Sequence, residues 1–250
     1  MSGLQGKVAV VTGGSKGIGA SIAEHLAAAG ASVVVNYATS KTGADAVVTR
    51  INAAGGDAVA VQGDVSKPAD IAKLFGETKT KYGKLDILVN NAGVYEFSPL
   101  DGITPEHFHK QFDLNVLGLL LTTKEAVKLI GPDGGSIVNI SSIVGPMPAP
   151  SASVYSASKA AVDAITVSLA GELGPKRIRV NSINPGMVET EGLHSSGISE
   201  SDFRKNVEAT TPLGRIAQPQ DIAKAVVFFA SDDAGWVTGQ TLVVAGGARQ

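Results

Sequence analysis

Seven short runs constrain this chain more than any other feature. They are KVAVV (7–11), SVVVNY (32–37), AVAVQ (58–62), DILVNN (86–91), SIVNIS (136–141), RVNSI (179–183) and TLVVAG (241–246). Each is short, nearly continuous in apolar residues and rich in β-branched ones, the pattern of a strand covered on both faces. Between them lie Ala-rich or amphipathic stretches of helical length at 17–30, 41–54, 68–82, 104–130, 153–174 and 219–230. Strand alternating with helix predicts an α/β fold of Rossmann type, a seven-stranded parallel sheet with helices on both faces. No linker, low-complexity tract or domain-scale repeat interrupts the 250 residues, so a single domain over 1–250 is expected. Residues 186–212 are polar and carry no strand. An insertion of that length in a compact fold is expected to act as a lid over a site.

Composition removes several function classes. There is no cysteine, hence no disulfide, thiolate metal site or thiol nucleophile, which fits a reducing compartment. The net charge of −2 and pI of about 6.1 supply no basic field for nucleic acid. No apolar run approaches the roughly 20 residues that span a bilayer, and MSGLQGKVAVV has no basic-then-apolar leader pattern. A cytoplasmic protein without nucleic-acid or membrane partners is the expectation. His25, His107, His109 and His194 show no metal-ligand spacing, so no metal is expected.

The first strand runs into VVTGGSKGIG (10–19), which opens the first helix. Gly13, Gly17 and Gly19 miss the G-x-G-x-x-G spacing, yet the physics is the same. Glycines let backbone approach a ligand closely, and a helix N-terminus offers free N–H groups to a phosphate. A strand-to-helix turn with no ligand is the bland alternative for such a loop alone. The second strand ends at Asn36 and Tyr37, with no acid to hold a ribose 2′-hydroxyl. Lys16 lies inside the loop, where an ammonium can meet a 2′-phosphate. Together these features predict NADP(H). Asp64, after the third strand, is placed either for an adenine or as the cap of a turn.

YSASK (155–159) puts a phenol and an ammonium one helical turn apart. An ammonium near a phenol favours the phenolate, and such a tyrosine can donate or accept a proton. The small residues between them are read as leaving room for a ligand. At the end of the fifth strand, Ser141 or Ser142 can hydrogen-bond a substrate oxygen. NNAG (90–93) ends the fourth strand at the same carboxyl edge. Asn115 sits inside a predicted helix, where asparagine is a poor former and needs a special partner.

With T-G-x-x-x-G-x-G at 12–19, Asp64-Val65, N-N-A-G at 90–93, Asn115, Ser142, Y-x-x-x-K at 155–159 and Pro185-Gly186 all in order, the chain resembles the short-chain dehydrogenases/reductases over essentially its whole length. The resemblance implies a tetrad of Asn115, Ser142, Tyr155 and Lys159; Ser142 is preferred to Ser141 because the family serine lies 13 positions before the tyrosine. It implies Tyr155 as general acid/base and Lys159 as the group that lowers its pKa and binds the nicotinamide ribose. Ser142 would hold the carbonyl oxygen, and Asn115 would keep a water in a relay to Lys159. Cofactor contacts are implied at Gly13, Ser15, Lys16, Gly17, Ile18 and Gly19, at Asn36, Tyr37, Asp64 and Val65, at Asn91, Ala92 and Gly93, and at Pro185, Gly186, Val188 and Thr190. A homotetramer is implied, with helices 104–130 and 153–174 paired across subunits.

Pocket candidates are Val94 and Tyr95, Val144 and Met147 in the proline-rich IVGPMPAPSASVY segment, and Met187 and His194 in the lid. That apolar wall favours a medium-sized ketone reduced to a secondary alcohol. A 3-oxoacyl-[acyl-carrier-protein] reductase is the alternative, with Arg177 and Arg179 as contacts for an acidic carrier. A sugar or polyol dehydrogenase and a non-catalytic NADP(H) sensor complete the alternatives. Glu189 and Glu191 are read as facing solvent, and Trp236 as packing or a subunit contact.

Overall fold

The computed structural model describes residues 3–195 and 202–248. Seven strands, β1 Val8–Val11, β2 Ser32–Tyr37, β3 Asp57–Gln62, β4 Ile87–Asn90, β5 Gly135–Ile140, β6 Ile178–Pro185 and β7 Thr241–Val244, form one sheet. All neighbours pair in parallel, in the order β3-β2-β1-β4-β5-β6-β7. The order reverses between β1 and β4, which opens a crevice beyond their carboxyl ends.

Side-chain alternation divides the core into two layers. Ala9, Val11, Val33 and Val35 pack with helices α1 (Gly17–Ala28), α2 (Lys41–Ala53) and the late helix Pro219–Ala230. Val8, Val10 and Val34 face the other way, onto α3 (Pro68–Tyr82) and the helices that follow. Each fully buried Leu, Ile or Val contributes about 1.5–3 kcal/mol. The helix limits follow local rules. α3 starts with Pro68 in its first turn and stops at Gly83, whose φ is 74°.

The helix expected over 104–130 is divided. α4 (Pro105–Phe112) is capped by the Thr104 hydroxyl, which accepts from His107 N. A π-helical turn, Asp113–Gly118, follows, and then α5 (Leu119–Val127). Gly118 presses against the third βα loop: a Cβ there would lie 2.6 Å from Val65 O. π-turns of this kind re-aim side chains locally, and this one carries Asn115.

α6 (Ser153–Leu173) bears Tyr155 and Lys159. The strandless region after β6 contains two short helices, α7 (Glu191–Ser195) and α8 (Asp202–Thr210); the rest of the expected lid at 196–201 lies outside the described residues. α9 (Pro219–Ala230) begins with a capping box between Gln218 and Asp221. No helix among the described residues is long and apolar enough to cross a membrane.

Candidate active site

The glycine-rich loop is held by the strand beside it. Thr12 Oγ1 accepts from Asn91 N and Ala92 N, both at 3.0 Å. The Asn91 amide returns two bonds, to Thr12 O at 2.9 Å and Gly13 O at 3.1 Å. Gly13 adopts φ 62°, and a Cβ on Gly19 would stand 2.4 Å from both Gly13 O and Asn91 Nδ2. The loop therefore needs glycine for the turn and for the close approach of helix to strand. α1 starts at Gly17 with no acid in its first turn, so its N–H groups and positive end are suited to an anion. Lys16 is exposed at the mouth of this loop. Gly17 adjoins Thr190, whose methyl would lie 3.3 Å from a Cβ there. These are the residues that would hold a dinucleotide pyrophosphate.

Asn36 has a different place from the one expected. Its side chain is buried and turned inward. Nδ2 donates to Gly63 O at 2.9 Å and to Val61 O at 3.3 Å, and Oδ1 accepts from Gly13 N at 3.3 Å. It braces β3 and the glycine loop, and its amide is consumed in doing so. Tyr37 is buried as well; the exposed positions beyond the strand are Ala38 and Thr39. For Asp64 the turn reading holds. Its carboxylate accepts from Ser66 N at 3.0 Å and Ser66 Oγ at 2.7 Å. Burial works to raise its pKa, but those bonds and Lys67 outweigh it and leave the carboxyl below its ordinary value.

Asn115 meets the need of a mid-helix asparagine with backbone from another segment. Oδ1 accepts from Val94 N at 2.9 Å, and Nδ2 donates to Val94 O at 2.8 Å and Ser158 Oγ at 3.1 Å. Gly93 stands close by: a Cβ there would lie 3.1 Å from Asn115 Oδ1 and 3.5 Å from Lys159 Nζ. The two serines at the end of β5 separate cleanly. Ser141 is buried and donates to Lys159 O at 3.0 Å, whereas the Ser142 hydroxyl lies beside the Tyr155 phenol and pulls its pKa down, with Oγ accepting from Val144 N at 3.4 Å.

Tyr155 and Lys159 share one face of α6, with Lys159 Nζ 5.9 Å from the centre of the Tyr155 ring. The expected lowering of the phenol is not what the site produces. Burial pushes Tyr155 up to about 12, against the pull of the Ser142 hydroxyl and with a smaller upward push from Tyr95. Burial also brings Lys159 down to about 8, opposed by Asp163. Its Nζ donates to Ile140 O at 2.9 Å. Desolvation dominates, so the phenol keeps its proton at neutral pH and is placed as a donor. The small residues between the pair also differ from expectation. Ser156 and Ser158 are buried and let α6 pack closely, with Ser158 receiving Asn115; Ala157 alone is exposed.

Two residues escaped the sequence reading. Asp163, one turn beyond Lys159, accepts from Ser182 Oγ at 2.8 Å and Asn184 Nδ2 at 2.6 Å. Asn184 also donates to Ser142 O at 3.2 Å, so this carboxylate anchors the β5 end as well as facing Lys159. The signal was present: 155, 159 and 163 recur every fourth residue on one helix face. The other residue is Gln111, treated below.

Around the pocket, Val94 and Tyr95 lie beside the tetrad, and the Tyr95 and Tyr155 ring centres are 6.0 Å apart. Val144 and Met147 are half-buried in a turn closed by Met147 N donating to Ile143 O at 3.0 Å. At the end of β6, Pro185 O accepts from Ile143 N at 2.9 Å and Gly186 N donates to Val244 O at 3.1 Å. Met187 and Val188 run beside Ala217, to which Met187 O is bonded at 2.9 Å. His194 is exposed and pairs with Glu189 at 3.0 Å. Glu189 does not face solvent: its carboxylate also accepts from Arg204 at 3.1 Å and ties the α7–α8 region to the sheet edge. Glu191 is exposed, as expected. Arg177 and Arg179 lie at the amino end of β6, on the far side of the sheet from Tyr155, about 20 Å away along the strand. Arg179 is spent on Phe229 O and Ser231 O, at 2.8 and 3.1 Å.

Comparison with known proteins agrees with this geometry. Residues 13–249 match the family model described as enoyl-(acyl carrier protein) reductase. An uncharacterized oxidoreductase of Methylorubrum extorquens is 55% identical over 249 residues, 100% of both chains. A probable tetrahydroxynaphthalene reductase of Zymoseptoria tritici is 38% identical, over 99% of this chain and 96% of that one. Among solved structures, a dehydrogenase/reductase from Sinorhizobium meliloti superposes with TM-score 0.94 at 38% identity, covering 99% of this chain and 97% of the other.

Proposed function

The chain belongs to the short-chain dehydrogenase/reductase family of oxidoreductases, and from that premise we propose that it is an NADP(H)-dependent reductase taking a ketone to a secondary alcohol. What carries the reading is the placement of the Tyr155 phenol beside the Ser142 hydroxyl, with Lys159 Nζ 5.9 Å from its ring centre. A nicotinamide cofactor, when bound, would supply the hydride. Tyr155 Oη gives its proton to the oxygen that develops negative charge, and Ser142 Oγ donates a hydrogen bond to the same oxygen. Lys159 keeps positive charge near both and would hold the ribose. Asn115 fixes Val94 and Ser158 around them. The glycine loop and the N-terminus of α1 receive the pyrophosphate.

NADP(H) is favoured by the exposed Lys16 and by the lack of any acid in the NYATS turn after β2. It no longer draws on Asn36 as a contact. A ketone on a small molecule is preferred to a carrier-bound thioester, because Arg177 and Arg179 sit at the wrong edge. The relative named for tetrahydroxynaphthalene supports a ring-borne carbonyl. A cytoplasmic homotetramer belongs to the same proposal. Its support is apolar surface on the helices expected to pair (Phe108, Leu117, Leu120 and Val167), together with the fully exposed Trp236. A sedimentation mass of one chain at micromolar concentration refutes the tetramer.

The experiment is oxidation of NADPH and NADH, side by side, with an aryl ketone, a β-keto ester, a 3-oxoacyl thioester and a keto-sugar. NADPH consumption with the ketones, abolished in Tyr155→Phe, is the expected result. Turnover of the thioester alone transfers the assignment to the acyl-carrier reading. Activity confined to sugar oxidation, or absent with both cofactors, removes the proposal.

A further inference from the structure

The segment after β4 is held in an unusual way. Residues 94–97 run along the rim of the site, on no strand. Two buried amides bond them as a neighbouring strand would. Asn115 takes both backbone groups of Val94, as described above. Gln111, one turn earlier on the same helix face, takes both backbone groups of Glu96: its Oε1 accepts from Glu96 N at 3.2 Å and its Nε2 donates to Glu96 O at 3.3 Å. His107, a further turn back, closes the row, with Nε2 3.0 Å from the Gln111 amide nitrogen. Gln111 and Asn115 thus pair with alternate residues of this segment, Glu96 and Val94, while His107 Nε2 also lies 3.4 Å from Glu96 O.

Alternation sends the intervening side chains the other way. Tyr95 and Phe97 turn toward Tyr155, and the three rings enclose a corner, with centres 5.9, 6.0 and 6.3 Å apart. Tyr95 remains 43% and Phe97 54% exposed, so both offer ring surface to a ligand. Gln111 is 0% exposed. Packing alone would be served by an apolar residue there; the amide is spent on the backbone of this rim segment and on His107.

We propose that Gln111 is a specificity-determining positioning residue, which holds Tyr95 and Phe97 as fixed walls beside Tyr155, and that the corner so built selects flat, aryl-fused ketones over compact aliphatic ones. This rests on the reading of the site as a ketone reductase. A flat aryl face gains a stacked or edge contact with each ring, and walls already ordered lose little freedom on binding. Each ring then contributes about threefold to tenfold in kcat/KM.

The test compares 2-tetralone with cyclohexanone in the wild type, Phe97→Ala and Gln111→Met. The wild type is expected to favour 2-tetralone by about tenfold or more in kcat/KM. Phe97→Ala, at a half-exposed position that does not threaten folding, lowers that ratio by about threefold to tenfold. Gln111→Met, close in volume but without the amide, raises KM for 2-tetralone several-fold more than it lowers kcat; a general loss of structure lowers kcat for both ketones together. Should Gln111→Met fail to fold, Phe97→Ala decides the aromatic corner by itself. If cyclohexanone is reduced as efficiently as 2-tetralone, or if Phe97→Ala keeps the ratio, this inference falls and the reductase reading stands. If neither ketone turns over with either cofactor, the reductase reading falls and takes the inference with it.

Discussion

Lys159 makes the protein less stable than it need be, and the size of the effect follows from its surroundings. The ammonium is buried, and its pKa drops from 10.5 to about 8. At about 1.4 kcal/mol per unit, folding with the charge in place costs about 3 kcal/mol at pH 7. Between the two values the unfolded chain binds more proton than the folded one, so this contribution to stability rises with pH through that window. Lys159→Met removes the buried charge. It leaves Ile140 O without the donor at 2.9 Å, a cost of about 1 kcal/mol. The variant is therefore expected to be about 2 kcal/mol more stable than the wild type at pH 7, and inactive. By pH 9.5 only about 1 kcal/mol of the wild-type penalty remains, so the advantage should vanish. Guanidinium unfolding of both proteins at one protein concentration, at pH 6.5, 7.5, 8.5 and 9.5, reads this directly. A variant less stable than wild type at pH 7, or a gap that stays constant with pH, refutes the argument that burial of Lys159 opposes folding.

Other predictions follow from the same contacts. Asp163→Asn removes the one charge that supports the Lys159 ammonium, so the alkaline limb of the kcat/KM profile should move to lower pH; an unmoved limb means Asp163 acts only through Ser182 and Asn184. Asn36→Asp deprives Gly63 O and Val61 O of their donor and should destabilise by about 1–3 kcal/mol by denaturant titration. Lys16→Ala should raise KM for NADPH several-fold and leave KM for NADH in place; equal effects on both would remove Lys16 from cofactor choice. Gly19→Ala sets a Cβ 2.4 Å from Gly13 O, and should weaken NADPH binding, measured by fluorescence titration, even where the melting temperature shifts little.

Much of the fold was legible because periodicity is a local property. β2, written SVVVNY, occupies the expected 32–37, and α3 runs over the expected 68–82. The helix at 104–130 was misread in one respect, since nothing in DLNVLG announces that Gly118 must press on Val65 O and that the turn there widens. That Tyr155 and Lys159 share one face of α6 was legible too, because they are one turn apart. What α6 does with the residues between them was not: Ser156 and Ser158 read as clearance and serve as packing.

The sequence by itself determined the alternation of strand and helix, the glycine-rich turn that opens α1 and the residue types brought to the carboxyl edge. Tertiary structure decided which way those residues act. Asn36 became a brace because Gly63 and Val61, 25 or more residues on, present carbonyls to it. Burial raises the Tyr155 phenol against the pull of the Ser142 hydroxyl. Glu189 turned from solvent to Arg204 and His194, and Arg177 and Arg179 fell at the opposite edge of the sheet from the chemistry. Local sequence encodes backbone preference within a few residues; burial and partners depend on segments that meet only when the chain has folded.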